Sequence, residues 1–341
     1  MLSSVSKLVE KTFVTGFLLP ALLAVYTAFN VLHCPNWLGP LCTSTTTNPF
    51  ENVTYAALVV WTVALLLLFL NHGLYRLFEG YVPPVSWCTT LKSRNQNRWR
   101  SRKAEAEKEG GDDLARGEQL KQLLNEYPTD ENDFLPTRFG NAVRAFERYP
   151  VEVYGIDAIG GWLRLQSVVP AAYRQQINDA RSQVDFFLNT SFLAIALCVA
   201  TFAKLAEEYV RKLGWAGCDA PVLWTTAGTS LVVAVLAYYW SIGRVVAWGD
   251  LVKSAFDLYL PALAKQLGYT LPPSEAKQRE FWKEFSWLML YRIPLADRKW
   301  KRAEATAAMG RDASGAERIA EGAEGADDGG DDEGDDGEAP R

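Results

Sequence analysis

The chain has 341 residues, 49% of them hydrophobic, with 35 Lys and Arg against 40 Asp and Glu and a formal net charge of −5. That length allows two ordinary domains, but apolar blocks alternate with very polar ones, so the averages describe no single part. Two histidines, no Cys/His/Asp cluster at metal-ligand spacing, no P-loop, no dinucleotide glycine motif and no G-x-S-x-G elbow leave no footing for common metal, nucleotide or hydrolase chemistry.

The first apolar stretch, residues 12–32, follows Lys7 and Lys11 and contains Pro20. It is longer than the apolar core of a signal peptide and reads as a retained signal-anchor span. Gly16, Pro20, Ala24 and Ala28 recur every four residues, which gives a face another helix can approach closely. The loop that follows is Thr- and Pro-rich, has no Lys or Arg, and holds Cys34 and Cys42. These two could pair as a disulfide on an oxidising side of a membrane, or remain free thiols. Residues 53–70, VTYAALVVWTVALLLLFL, carry no charge and no proline. At ~1.5 Å per residue this run reaches ~27 Å, close to the ~30 Å hydrocarbon core of a bilayer. The first segment, 1–81, is thus a tail and two spans of about 12–32 and 53–71.

The second segment, 82–185, is polar. After Pro83-Pro84 comes a basic run with Lys92, Arg94, Arg98, Trp99, Arg100, Arg102 and Lys103, and no acidic residue. Beside a span, such a run suits anionic lipid headgroups, at ~1 kcal/mol per charge near the surface, rather than nucleic acid. Residues 105–133 read as helical in pieces, broken at Gly110-Gly111, with Leu120, Leu123 and Leu124 as an apolar edge. Thr137 is placed to cap a helix to Arg148, ended by Tyr149-Pro150; Asp157 is placed to cap the next. Pro170 opens a helix expected to run unbroken through a third span, about 186–204, to about Leu213, with Tyr173, Ile177 and Val184 along one face.

A fourth span, 221–243, leads into a helical pattern at Trp248, Leu251, Val252, Ala255, Leu258, Tyr259 and Leu263, with a kink expected at Pro261. Ser274 is placed to cap a last helix to about Tyr291, with Phe281, Phe285 and Leu288 on one side. Residues 244–302 therefore form cytosolic helices. Residues 303–341 end in GADDGGDDEGDDGEAPR and read as a disordered acidic tail.

Of the 35 Lys and Arg, 32 fall in the N-terminal tail, the middle segment and the C-terminal segment, and only Lys204, Arg211 and Lys212 fall on the other side. Cationic residues stay on the cytoplasmic side. The expected fold is therefore all-α: four transmembrane helices in two hairpins, a helical cytosolic lobe, both termini cytoplasmic, in a plasma membrane. No span interior carries Asp, Glu, Lys or Arg, which argues against an ion-coupled transporter or an intramembrane protease.

In the lobe, Arg138, Asn141, Arg144 and Arg148 fall near one helical face, followed by Tyr154, Asp157, Trp162 and Arg164. Three arginines and an amide can hold a phosphate or carboxylate. They can equally pair with Glu147, Glu152 and Asp157 and fix the lobe. Thr137-Arg138-Phe139-Gly140-Asn141, Tyr154-Gly155-Ile156-Asp157 and Trp162, with Phe256-Asp257-Leu258-Tyr259, Leu271-Pro272, Glu280 and Trp282, resemble an uncharacterised family of bacterial four-helix integral membrane proteins. The resemblance covers about residues 55–290, implies a bacterial inner membrane and a working part in the lobe, and implies no activity. The expected function is non-enzymatic: a lobe that self-assembles or binds a cytosolic partner, beside anionic inner-leaflet lipids, without cofactor, metal or nucleic acid. Two alternatives stand beside it. One is an oligomeric channel, bestrophin-like in layout only, using Thr225, Thr226, Thr229, Ser230 and Ser241. The other is an inner-leaflet enzyme using Asp157 or Glu147.

Overall fold

The computed structural model describes residues 11–32, 49–82, 85–107, 113–211, 220–295 and 300. Cys34, Cys42, the Pro83-Pro84 and Gly110-Gly111 breaks and the acidic tail lie outside the described residues. Within them the protein is all-helical. The first helix, α1, is made of Lys11–Phe13, a π-helical stretch Val14–Leu18, and Leu19–Leu32. It is followed by α2 (Pro49–Glu79), α3 (Val85–Ala106), α4 (Asp113–Glu126), a 3-10 turn (Glu131–Asp133), α5 (Arg138–Tyr154), α6 (Ala158–Leu165), α7 (Ala171–Arg211), α8 (Ala220–Gln266) and α9 (Glu275–Tyr291).

Four helices, α1, α2, α7 and α8, are long and apolar enough to cross a membrane. Their apolar surface is turned outward: only 17% of the most apolar window of α2 is buried, and Phe69 is 80% exposed. In water such a surface is an aggregation hazard, whereas in lipid it is solvated. Between the helices the contacts are specific. The Ser191 hydroxyl donates to the Ala234 carbonyl (3.0 Å) and the Cys198 thiol to the Ala227 carbonyl (3.5 Å), so α7 and α8 run antiparallel.

Pro20 explains the π-helical stretch. It has no N–H to give the carbonyl of Gly16, four residues earlier. That carbonyl instead accepts from Asn189 Nδ2 of α7 at 2.8 Å. Gly16 also lets α7 come close, since a Cβ there would lie 3.2 Å from Asp185 Cβ. A freed backbone group at this depth is satisfied by the neighbouring helix, which is what makes the proline tolerable.

α7 and α8 leave the apolar layer without a break and carry the lobe with them. Its core joins Phe139 and Phe146 of α5, Ile156, Leu165 of α6, Ile177 and Val184 of α7, Val245 and Phe256 of α8, and Phe281 and Trp282 of α9. A satellite cluster of Leu123, Tyr127 and Phe134, with Trp99 against it, holds α3 and α4. Thr137 caps α5, its Oγ1 accepting from Gly140 N at 2.9 Å and donating to the Phe78 carbonyl at the end of α2.

Four local expectations are corrected. α5 does not stop at Tyr149-Pro150 but runs through Pro150 to Tyr154. The Tyr149 and Tyr154 hydroxyls both donate to Asp257 on α8 (2.9 and 2.7 Å), holding that last turn; Gly155, at φ 78°, ends it. Ser274 precedes α9 but makes no side-chain cap bond. Leu124 and Leu258 point outward, 57% and 62% exposed, because Leu123 and Ala255-Phe256 take the inward positions.

Candidate functional site

The expected arginine face does not converge on one ligand position. Arg138 pairs with Glu126 (3.1 Å), a carboxylate it shares with Arg102 (3.0 Å). Arg148 pairs with Asp133, and Arg144 reaches Glu147 (3.4 Å) and the Tyr81 hydroxyl (2.6 Å). Asn141 is fully buried: its Oδ1 accepts from Leu135 N (2.7 Å), and its Nδ2 donates to the carbonyls of Leu135 (3.0 Å) and Thr137 (2.9 Å). Asp157 caps α6 through Gly160 N (2.7 Å), and Arg164 bonds back to the Gly160 carbonyl (3.0 Å). Burial and the Asp257 carboxylate push the Tyr149 hydroxyl up to about 12 and raise that of Tyr154, so both stay donors. Trp162, beside Phe256, borders a sizeable cavity, as does Glu147, the partner of Arg144.

The basic run is divided in the same way. Lys92 donates to the Asn132 carbonyl (2.9 Å), Arg100 pairs with Glu131, and Lys103 lies 4.8 Å over the ring of Trp99. Arg94 and Arg98 are exposed on the outer side of α3. In the fourth span, Thr225 and Thr226 donate to the Val222 carbonyl and Ser241 to that of Tyr238, so these hydroxyls serve their own helix.

A cleft of about 680 Å³ opens where α2 leaves its apolar stretch, within the range of ligand sites. α2 lines it from Leu68 through His72 and Arg76 to Glu79, and α6 lines it with Ile159, Trp162 and Leu163. α5, α7 and α8 form the floor, with Phe146, Glu147, Arg181, Trp248 and Phe256. Phe146 and Trp248 meet edge to face at 4.9 Å, and the Arg181 guanidinium lies 5.9 Å over the Trp248 ring. Behind the floor Asp185, 5% exposed, accepts from the Tyr75 hydroxyl at 2.8 Å, with Asn71 Nδ2 at 3.5 Å. Two buried polar atoms along this cleft, Asn71 Oδ1 and Trp248 Nε1, have no hydrogen-bond partner.

None of Asn71, Tyr75, Glu79, Arg181, Asp185 or Trp248 stands out in the sequence as a site residue. The signal was positional: Asn71-His72 directly follows the second apolar run, and Asp185 directly precedes the third. Equal depth at the ends of two spans places them together.

Glu147 offers a pH test. Burial holds its carboxyl above the usual range, against the pull of Arg144 and Arg148, and Glu79 of α2 lines the same cleft. A raised folded-state value means its contribution to stability is complete below about pH 4.5 and is lost as pH rises through the folded value. Glu147→Gln removes that slope. Its thermal midpoint relative to the parent should therefore rise between pH 4 and pH 8; an unchanged difference would show that the carboxyl titrates normally.

Fold and cleft define a class: an all-helical protein with four helices of membrane-spanning length, two of them continuous with a helical lobe. No family model, curated protein or solved structure matches the chain.

Proposed function

We propose that the chain is a non-enzymatic multi-pass protein of a plasma membrane, its four spans arranged as two hairpins with both termini and the lobe on the cytoplasmic side. The lobe binds a partner at the inner leaflet. The observation that carries this reading is the cleft: it opens at the one end of the long helices where the cationic residues gather, between the last turns of α2 and the lobe helices α5 and α6. The resemblance to bacterial four-helix proteins favours an inner membrane as the setting.

Impermeant maleimide labelling tests the orientation in a chain whose five native cysteines are replaced. Ser101→Cys, on an exposed position of α3, should react only after permeabilisation, and Thr46→Cys in intact cells. Reaction of Ser101→Cys from outside would invert the topology.

A further inference from the structure

The cleft presents its chemistry in a fixed order along α2. Leu68 stands at the end of the apolar run and lines the apolar end of the cleft. One turn on come Asn71 and His72; another turn on, Tyr75 and Arg76, with Arg181 beside Tyr75; one turn further, Glu79 beside Glu147 of α5. At ~1.5 Å per residue, the eleven steps from Leu68 to Glu79 span ~16 Å. From hydrocarbon to water, the order is apolar, polar uncharged, cationic, anionic. A glycerophospholipid reads the same way: acyl chain, ester, phosphate, amine.

We propose that this cleft binds one phospholipid of the inner leaflet whose headgroup carries both a phosphate and a primary ammonium, of the ethanolamine type. This rests on the membrane reading above. Arg76 and Arg181 suit the phosphate oxygens, since guanidinium–phosphate bonds are charge-assisted. Glu79 suits the ammonium, with Glu147, which the ammonium shares with Arg144, beside it on the same cleft. A purely anionic head would set its outer end against Glu79 and Glu147, and Arg144 is already engaged by Glu147 and Tyr81. The acyl chains leave past Leu68, where α2 becomes apolar.

The test is made on the full chain in detergent, titrated with ethanolamine- and glycerol-headed phospholipids of identical acyl chains. Retention is read by native mass spectrometry and stability by thermal midpoint. One ethanolamine lipid should be retained, about tenfold more tightly than the glycerol lipid, and should raise the midpoint. Arg181→Gln should weaken it about tenfold, and Glu147→Gln should narrow the discrimination between heads. If Arg181→Gln does not fold, Arg76→Gln, at an exposed position of α2 on the same cleft, removes the other guanidinium and should also weaken retention. Equal retention of both lipids, or variants that bind as the parent does, would overturn the site. Because this assay has no sidedness, it fails or succeeds independently of the labelling of Ser101→Cys, which alone decides whether the leaflet is the inner one.

Discussion

Replacing Asn141 by Asp lowers the stability of the protein by about 3–5 kcal/mol, since two of its three buried side-chain hydrogen bonds lose their donor and set oxygen against oxygen. The side chain has no exposure, and its amide spans the gap between the 3-10 turn and α5: one oxygen accepts from Leu135 N, and Nδ2 donates to the carbonyls of Leu135 and Thr137. In the aspartate the Nδ2 position becomes an oxygen facing two carbonyl oxygens. Ionised, it is a buried charge without a cation; protonated, it can donate to only one of the two. Thermal unfolding in detergent should show a midpoint lower by roughly 10 °C. By contrast, Arg144→Ala, at a position partly open to solvent, should cost about 1 kcal/mol or less. A midpoint within about 2 °C of the parent for Asn141→Asp would mean the amide does not tie the segment before α5 to its first turn.

That contrast shows what the sequence discloses and what it hides. The apolar runs are legible because bilayer thickness fixes their length, and the unbroken α7 is legible because nothing between Pro170 and Arg211 interrupts helical spacing. The caps at Thr137 and Asp157 follow from local chemistry alone and are as expected. Asn141 looked like a ligand residue because Asn and Arg share one helical face. Its bonds run instead to backbone atoms four to six residues earlier, which no side-chain pattern encodes. Pro150 misled for a related reason: the tie from Tyr149 and Tyr154 to Asp257 is a contact across more than a hundred residues. The cleft was the least legible feature, because its walls come from five helices and its polar groups are single residues at the ends of spans.

The junction of α2 with the lobe should be as intolerant of added volume as Asn141 is of lost donors. At Gly140 a Cβ would lie 2.6 Å from the Glu79 carbonyl oxygen, 3.0 Å from Glu79 Cα and 3.0 Å from Leu135 Cδ1. Two of these are backbone atoms, which cannot rotate aside. Nor can the end of α2 withdraw easily, since the Thr137 hydroxyl holds the Phe78 carbonyl at 2.6 Å. Helix propensity favours alanine over glycine by about 1 kcal/mol, but overpacking costs typically about 1–3 kcal/mol and here falls on main chain. Gly140→Ala should therefore be destabilising. Gly117→Ala on α4, where a Cβ meets nothing within 4 Å, keeps only the propensity gain and should be stabilising by about 0.5–1 kcal/mol. Opposite signs in thermal midpoint are the expected result, and a rise for both would show that α2 and α5 are free to part. Because α2 and α5 are two of the cleft's boundaries, a Gly140→Ala protein that still folds should also hold the ethanolamine lipid less well, coupling the packing of one glycine to the recognition of a headgroup.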